Sequence, residues 1–230
     1  MGYQKALKFL FLSLIYCSSS FCENVISPNE ILSKLQAVLK NQQSDYFEKT
    51  VKRMGNRKIS LEAFISMEAD WNILKRISQK VSDFPIWALP NINNRGSGET
   101  FYIQITGMKA DPFNPNNIDL QLVLALPALK IPIGRTFHFD FPPTEDKNIF
   151  SMKITTLQAE DSPVENLSGY FHFFRNPQNP NRIWVYLDIS VILTHWLVYE
   201  SLPERLLSRE SGERIRILIE NYQSFENTKR

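Results

Sequence analysis

The chain has 230 residues, of which 26 are Lys or Arg, 24 are Asp or Glu and two are Cys. That near-neutral balance leaves no electrostatic footprint for nucleic acid or an anionic membrane. Two cysteines rule out a disulfide-stapled scaffold, and hydrophobic residues at 43% suffice for one core of ordinary depth.

The first element is a targeting segment. Lys5 and Lys8 precede the apolar run Phe9–Tyr16, the small-residue stretch Cys17–Cys22 follows, and no acid occurs before Glu23. Basic, apolar, then small is the layout of a secretory signal peptide. The apolar run would cover only about half of a ~30 Å hydrocarbon core, so no permanent membrane span is expected. Cleavage after Ser19, Ser20 or Cys22 fits the small residues there. Loss of residues 1–22 removes two of the 26 basic residues and no acid, so 24 face 24. The expectation is an exported product, periplasmic or secreted, with residues 23–230 forming a single domain.

Ser27-Pro28-Asn29-Glu30 supplies an N-cap serine, proline at the first helical position and glutamate three residues after the cap. Ile31, Leu32, Leu35, Val38 and Leu39 then recur on one face of a helix through about Asn41. Asp45–Met54 reads as a short edge strand. Ile59, Leu61, Ala63 and Ile65 alternate with Ser60, Glu62, Phe64 and Ser66, the pattern of a half-buried strand. Trp71, Leu74, Ile77 and Val81 form a helical stripe, so a helix is predicted over Asp70–Val81, stopped by Pro85.

Six strand-like runs follow with no convincing helix between them. They are the runs around Phe101–Thr106, Leu120–Leu126, Phe137–Phe141, Ile149–Leu157, Gly169–Arg175 and Arg182–Val191. Turn-rich links such as Asp111–Asn117 and Asn176–Pro180 imply antiparallel neighbours. In the last run, Ile183, Val185, Leu187 and Ile189 alternate with Trp184, Tyr186, Asp188 and Ser190. Both faces are partly apolar, so something must cover the aromatic one, and the Ser27–Asn41 helix is the candidate. The chain closes on an amphipathic helix, with Ile215, Leu218, Ile219, Tyr222 and Phe225 on one stripe and Gly212 as a possible break.

Little in the sequence points to chemistry. His138, His172 and His195 lie on separate elements without metal-ligand spacing. There is no glycine-rich phosphate loop, GxSxG or CxxC. His138 and Asp140 share a strand face with Arg135 just before them, a trio that could orient a polar head group or simply form a solvent-facing row. Asp188 is the one acid inside a strongly apolar run, open to two readings: an arginine partner, or a polar group for a ligand hydroxyl. Asn166-Leu167-Ser168 is a glycosylation sequon. No metal or cofactor is expected.

The strand Ile59–Ser66, the Asp70–Val81 helix and then Asp83-Phe84-Pro85-Ile86-Trp87 resemble the opening of START-like (SRPBCC) helix-grip domains. The run Trp196–Tyr222, with Leu202-Pro203 and Gly212-Glu213-Arg214-Ile215, is similar to that superfamily's closing helix. The extra helix and strand before Ile59 resemble its longer, lipid-binding START type. The resemblance covers about Ser27–Phe225. It implies an α+β fold, a curved antiparallel sheet wrapped around a long carboxy-terminal helix with an extra amino-terminal helix, and an apolar tunnel between sheet and closing helix. The lining it implies is Trp87, Leu122, Leu124, Phe137, Phe139, Asp188, Ile215, Leu218, Ile219 and Tyr222.

The function this implies is a monomeric, non-enzymatic binding or carrier protein for a hydrophobic small molecule or lipid. Two alternatives stand beside it: an interaction protein with a collapsed cavity, and a cyclase- or hydrolase-like enzyme using polar groups in the tunnel. The volume and lining of the gap beneath the closing helix separate the first two.

Overall fold

A computed structural model describes residues 27–55, 57–93, 102–126, 129–144, 146–157, 164–193 and 202–229. The proposed signal segment, Trp196 and His195 lie outside the described residues. Helix α1 (Pro28–Leu39) begins where the sequence places its cap, and the Ser27 hydroxyl accepts from the Glu30 amide. Strands β1 (Tyr46–Met54) and β2 (Lys58–Glu68) form the first antiparallel pair.

The next segment departs from expectation. In place of one helix over Asp70–Val81 there are α2 (Trp71–Leu74), two 3₁₀ turns (Lys75–Gln79 and Val81–Asp83) and α3 (Phe84–Ala88). Asp70 caps the first piece by accepting from the Asn72 and Ile73 amides. Pro85 does not stop a helix but sits in the first turn of the next one, where its missing N–H costs nothing. The stripe Trp71, Leu74, Ile77, Val81 reflects burial, which short turns satisfy as well as a continuous helix does.

Strands β3 (Tyr102–Ala110), β4 (Asn117–Leu126), β5 (Leu129–Asp140), β6 (Ile149–Thr156), β7 (Val164–Arg175) and β8 (Arg182–Leu193) follow. Every pairing is antiparallel, in the order β1-β2-β8-β7-β6-β5-β4-β3. Helix α4 runs unbroken from Leu202 to Thr228, through Gly212. It packs chiefly against β1, β2 and β3, which include both edge strands, and against α2 and α3. Eight strands about 4.8 Å apart would span ~34 Å if flat, whereas a helix is only ~10–12 Å across. One helix reaches both edges because the sheet curves around it. The result is a helix-grip architecture, one curved antiparallel sheet around a long carboxy-terminal helix, with α1 added outside.

Alternation assigns the two faces. Ile183, Val185 and Leu187 of β8 face α4 in the larger core cluster, whereas Trp184 and Tyr186 face outward. On that convex face α1 covers them: Ile31, Leu35 and Leu39 pack on Trp184, Tyr186 and Phe174. Tyr186 donates to Glu62 at 2.8 Å, and burial followed by this bond pushes its phenol well above the usual range.

Candidate functional site

A cavity of about 230 Å³ lies between the concave face and α4. Its floor comes from alternate residues of β4 to β7, among them Ile118, Leu120, Phe137, Phe139, Met152 and Phe171. The closing helix contributes Ile215, Leu218 and Ile219 at i, i+3 and i+4, the same face of successive turns. One end is walled by the short-helix segment through Leu74, Ile77, Phe84, Trp87 and Ile92. Among the described lining residues Arg214 alone carries a charge. Its guanidinium Nη2 donates to the Ile103 carbonyl of β3, tying α4 to the sheet edge.

Trp87, the anchor of the resemblance, is 3% exposed. Its ring stands edge-on to Phe84 at 4.6 Å and lies 5.0 Å from Tyr222. Burial raises the Tyr222 phenol above its ordinary range. Around this corner the short-helix segment is fastened to α4 by polar contacts. Arg76 pairs with Glu226 at 3.2 Å and Lys229 with Asp83 at 3.2 Å, while Asn221 donates to the Pro90 carbonyl and Gln223 accepts from the Asp70 amide.

Of the residues expected at the tunnel, the structure gathers Trp87, Phe137, Phe139, Ile215, Leu218 and Ile219 around the cavity. Tyr222 packs behind Trp87 rather than on the cavity surface. Leu122 and Leu124 share the concave face but lie further along β4, in a separate cluster with Ile59, Ile133 and Val191. Asp188 belongs to the convex face: it sits opposite Glu62 and Tyr170 in register, on the same side as Tyr186. It therefore points away from the tunnel, because strand parity separates it from Leu187 and Ile189.

The same parity dissolves the Arg135, His138, Asp140 trio. Arg135 shares the concave face with Phe137 and Phe139, is 4% exposed, and burial lowers its guanidinium pKa. His138 faces the other way and bonds Asn117 at 2.8 Å. Unanticipated was a second polar pair, Ser151 Oγ and His172 Nδ1, 2.7 Å apart and both buried. A serine beside a histidine has nucleophile–base spacing. This pair lies on the convex face, on the far side of the sheet from the cavity, so it cannot act there. Burial holds His172 neutral, with its pKa lowered to about 4. A depression of about 510 Å³ flanks α1, but its lining mixes Leu32 and Phe174 with Gln36, Asp146, Asn148 and Asn176.

Leu74, Ile77, Phe84, Met152 and Phe171 also line the cavity and were not expected there, although Leu74 and Ile77 belong to the helical stripe, Phe84 to the Asp83–Trp87 motif, and Met152 and Phe171 to strand-like runs read from the sequence. Among the described residues no three His, Cys, Asp or Glu side chains converge as metal ligands. No described helix is long and apolar enough to cross a membrane.

No protein-family model matches the chain, and no curated protein matches it in sequence. Solved structures do superpose. A STAR-related lipid transfer protein fragment from Xanthomonas axonopodis is 10% identical with a TM-score of 0.49, covering 76% of this chain and 93% of that one. Human StAR-related lipid transfer protein 5 is 11% identical with a TM-score of 0.41, covering 86% and 95%. The Zhui aromatase/cyclase from a Streptomyces species is 10% identical with a TM-score of 0.43, covering 77% and 94%.

Proposed function

We propose that the protein binds a hydrophobic small molecule or lipid between sheet and α4 and carries it, outside the cytoplasm once residues 1–22 are removed. The cavity is the observation that supports this reading. Protein interiors leave few voids larger than a water molecule, yet about 230 Å³ stands open here at the centre of the grip. Space lined in this way favours an apolar guest. A surface-acting interaction protein has no use for such a gap. An enzyme would need polar groups at the reacting atoms, and the described lining offers chiefly hydrocarbon.

Two measurements test the reading. Organic extraction of the purified protein, followed by mass spectrometry, should yield one recurring hydrophobic compound in near-stoichiometric amount. Finding none, together with failure to bind any apolar probe of cavity size, would overturn it. For export, amino-terminal sequencing of the extracytoplasmic protein should read from residue 20, 21 or 23. Intact Met1 on a cytoplasmic product would refute that part alone.

A further inference from the structure

We infer that two copies of this chain pair through the outer edge of β1, antiparallel about a two-fold axis at Thr50, in place of the monomer expected from the sequence. The inference does not depend on the binding function proposed above. It begins with a difference between the two edges of the sheet, β1 and β3. An edge strand carries a row of backbone N–H and C=O groups on its outer side, which folds commonly break up or cover. β3 is covered. Asn93 takes both backbone groups of Ile105, accepting from its amide at 2.9 Å and donating to its carbonyl at 2.6 Å. Arg214 donates to the Ile103 carbonyl, and a shift of register between Ile105 and Gly107 disrupts the strand. β1, by contrast, pairs with β2 in unbroken register from Tyr46 to Met54 and contains neither proline nor glycine. Glu48, Thr50, Lys52 and Met54 stand exposed along it.

The side chains of β1 choose the partner. Phe47 and Val51 pack toward the core beneath α4, so Tyr46, Glu48, Thr50, Lys52 and Met54 share the convex side. With the axis at Thr50, Glu48 of each copy stands opposite Lys52 of the other, and Tyr46 opposite Met54. Opposite charges across a strand pair stabilise it, and like charges directly opposite destabilise it. Moving the axis by one residue sets Lys49 against Lys49, or Lys49 against Arg53. Moving it by two sets Glu48 against Glu48, or Lys52 against Lys52. Only the register centred on Thr50 escapes. Glu48 already accepts from the Tyr46 hydroxyl at 2.7 Å, but a carboxylate has about four acceptor positions, so a lysine ammonium adds to that bond. Met54 is 57% exposed in the single copy; opposite the Tyr46 ring it gains a sulfur–aromatic contact. The contact is self-complementary and closes as a dimer.

Sedimentation velocity of the whole protein from about 1 μM to 1 mM should show monomer giving way to dimer. Glu48→Lys and Lys52→Glu each set like charges opposite at two symmetric places. Each should weaken self-association at least about tenfold. Mixed in equal amounts, the two variants should pair with each other to within about threefold of the unaltered affinity, because opposite charges then meet at both places. Damage to the strand by either exchange would not be undone by mixing. In the unaltered protein, amide hydrogen exchange of Tyr46–Met54 should slow as concentration rises, while that of Tyr102–Ala110 should not. This last reading decides if a variant fails to fold. A protein that stays monomeric to about 1 mM would overturn the inference, as would self-association that both exchanges leave intact. So would a mixture that pairs no better than its components, or protection that grows elsewhere and not on β1. The binding function stands in each of these cases.

Discussion

On the convex face α1 lays Ile31, Leu35 and Leu39 on Trp184, Tyr186 and Phe174, and none of the six is more than 2% exposed. On the concave face α4 sets Ile215, Leu218 and Ile219 across from Ile118, Phe137 and Phe139 with about 230 Å³ left between. The two helices cover one sheet with opposite results. Side-chain size does not explain this, because the lined face is as rich in Phe, Trp and Met as the packed one. Geometry does. A short helix can lie tangent to a bulging surface and touch it throughout. A long helix that bears on both edges of a trough is held off its floor, and α4 makes its close contacts chiefly with β1, β2 and β3.

The largest test of that contrast is Trp184→Ala. Removing a fully buried indole from the packed face should cost ~3–5 kcal/mol, read from urea denaturation. Probe binding per folded molecule should not change. If binding falls with stability, the two faces are coupled and the cavity is not independent of the α1 layer.

Acid should strain the packed face selectively. His172 lies on the convex side with its pKa lowered from 6.5 to about 4 by burial. In the unfolded chain it takes up a proton below about pH 6.5, whereas the folded protein resists until about pH 4. Stability is therefore full above that window and falls as pH drops through it, by up to roughly 1.4 kcal/mol per unit and at most roughly 3–4 kcal/mol in all. His172→Gln should flatten the slope between pH 6.5 and 4 in a denaturation series. An unchanged slope would mean that other groups govern acid sensitivity.

The third prediction concerns the open face. Leu218→Trp should fill space that a ligand would occupy, so melting temperature should shift by no more than ~2–3 °C while binding of 2-naphthylmethanol is lost. A cost of ~1–3 kcal/mol with no binding to lose is the signature of an overpacked core, and would show the cavity to be closed in solution. Chemical shifts of the unaltered protein with and without probe complete the comparison.

Much of this contrast was legible in the residues. Period-two alternation assigned Ile183, Val185 and Leu187 to one face and Trp184 and Tyr186 to the other, and the wasted aromatics on the second face called for a cover. The cap at Ser27 and the stripe of Ile31, Leu35 and Leu39 supplied it. The same alternation, followed through, would have set Arg135 on the face opposite His138 and Asp140, and Asp188 on the face of Tyr186, yet Asp188 was expected in the tunnel. What alternation does not carry is position along the strand. Leu120 and Leu122 look alike in sequence, yet Leu120 borders the cavity and Leu122 packs two residues beyond it. That boundary is set by where α2, α3 and α4 cross the trough. The division of Trp71–Ala88 into short turns was hidden for a related reason: the buried stripe is common to a helix and to successive 3₁₀ turns.

The smallest effect should come from the polar fastening at the cavity's end. Arg76–Glu226 and Lys229–Asp83 are ion pairs at 3.2 Å whose partners are all at least partly exposed. Pairs of this kind contribute about 0–1 kcal/mol and weaken with salt. Glu226→Gln should therefore lower stability by less than ~1 kcal/mol, and by still less at 1 M salt. Its effect on ligand exchange should be larger in proportion. Leu74, Ile77, Phe84 and Trp87 wall the cavity from the segment that these pairs hold against α4, so loosening the clasp should speed probe release while leaving equilibrium stability nearly unchanged. Stopped-flow release of 2-naphthylmethanol from wild type and E226Q, at low and high salt, measures this directly. An unaltered rate would mean that the guest leaves by another route, and that the grip opens elsewhere along α4.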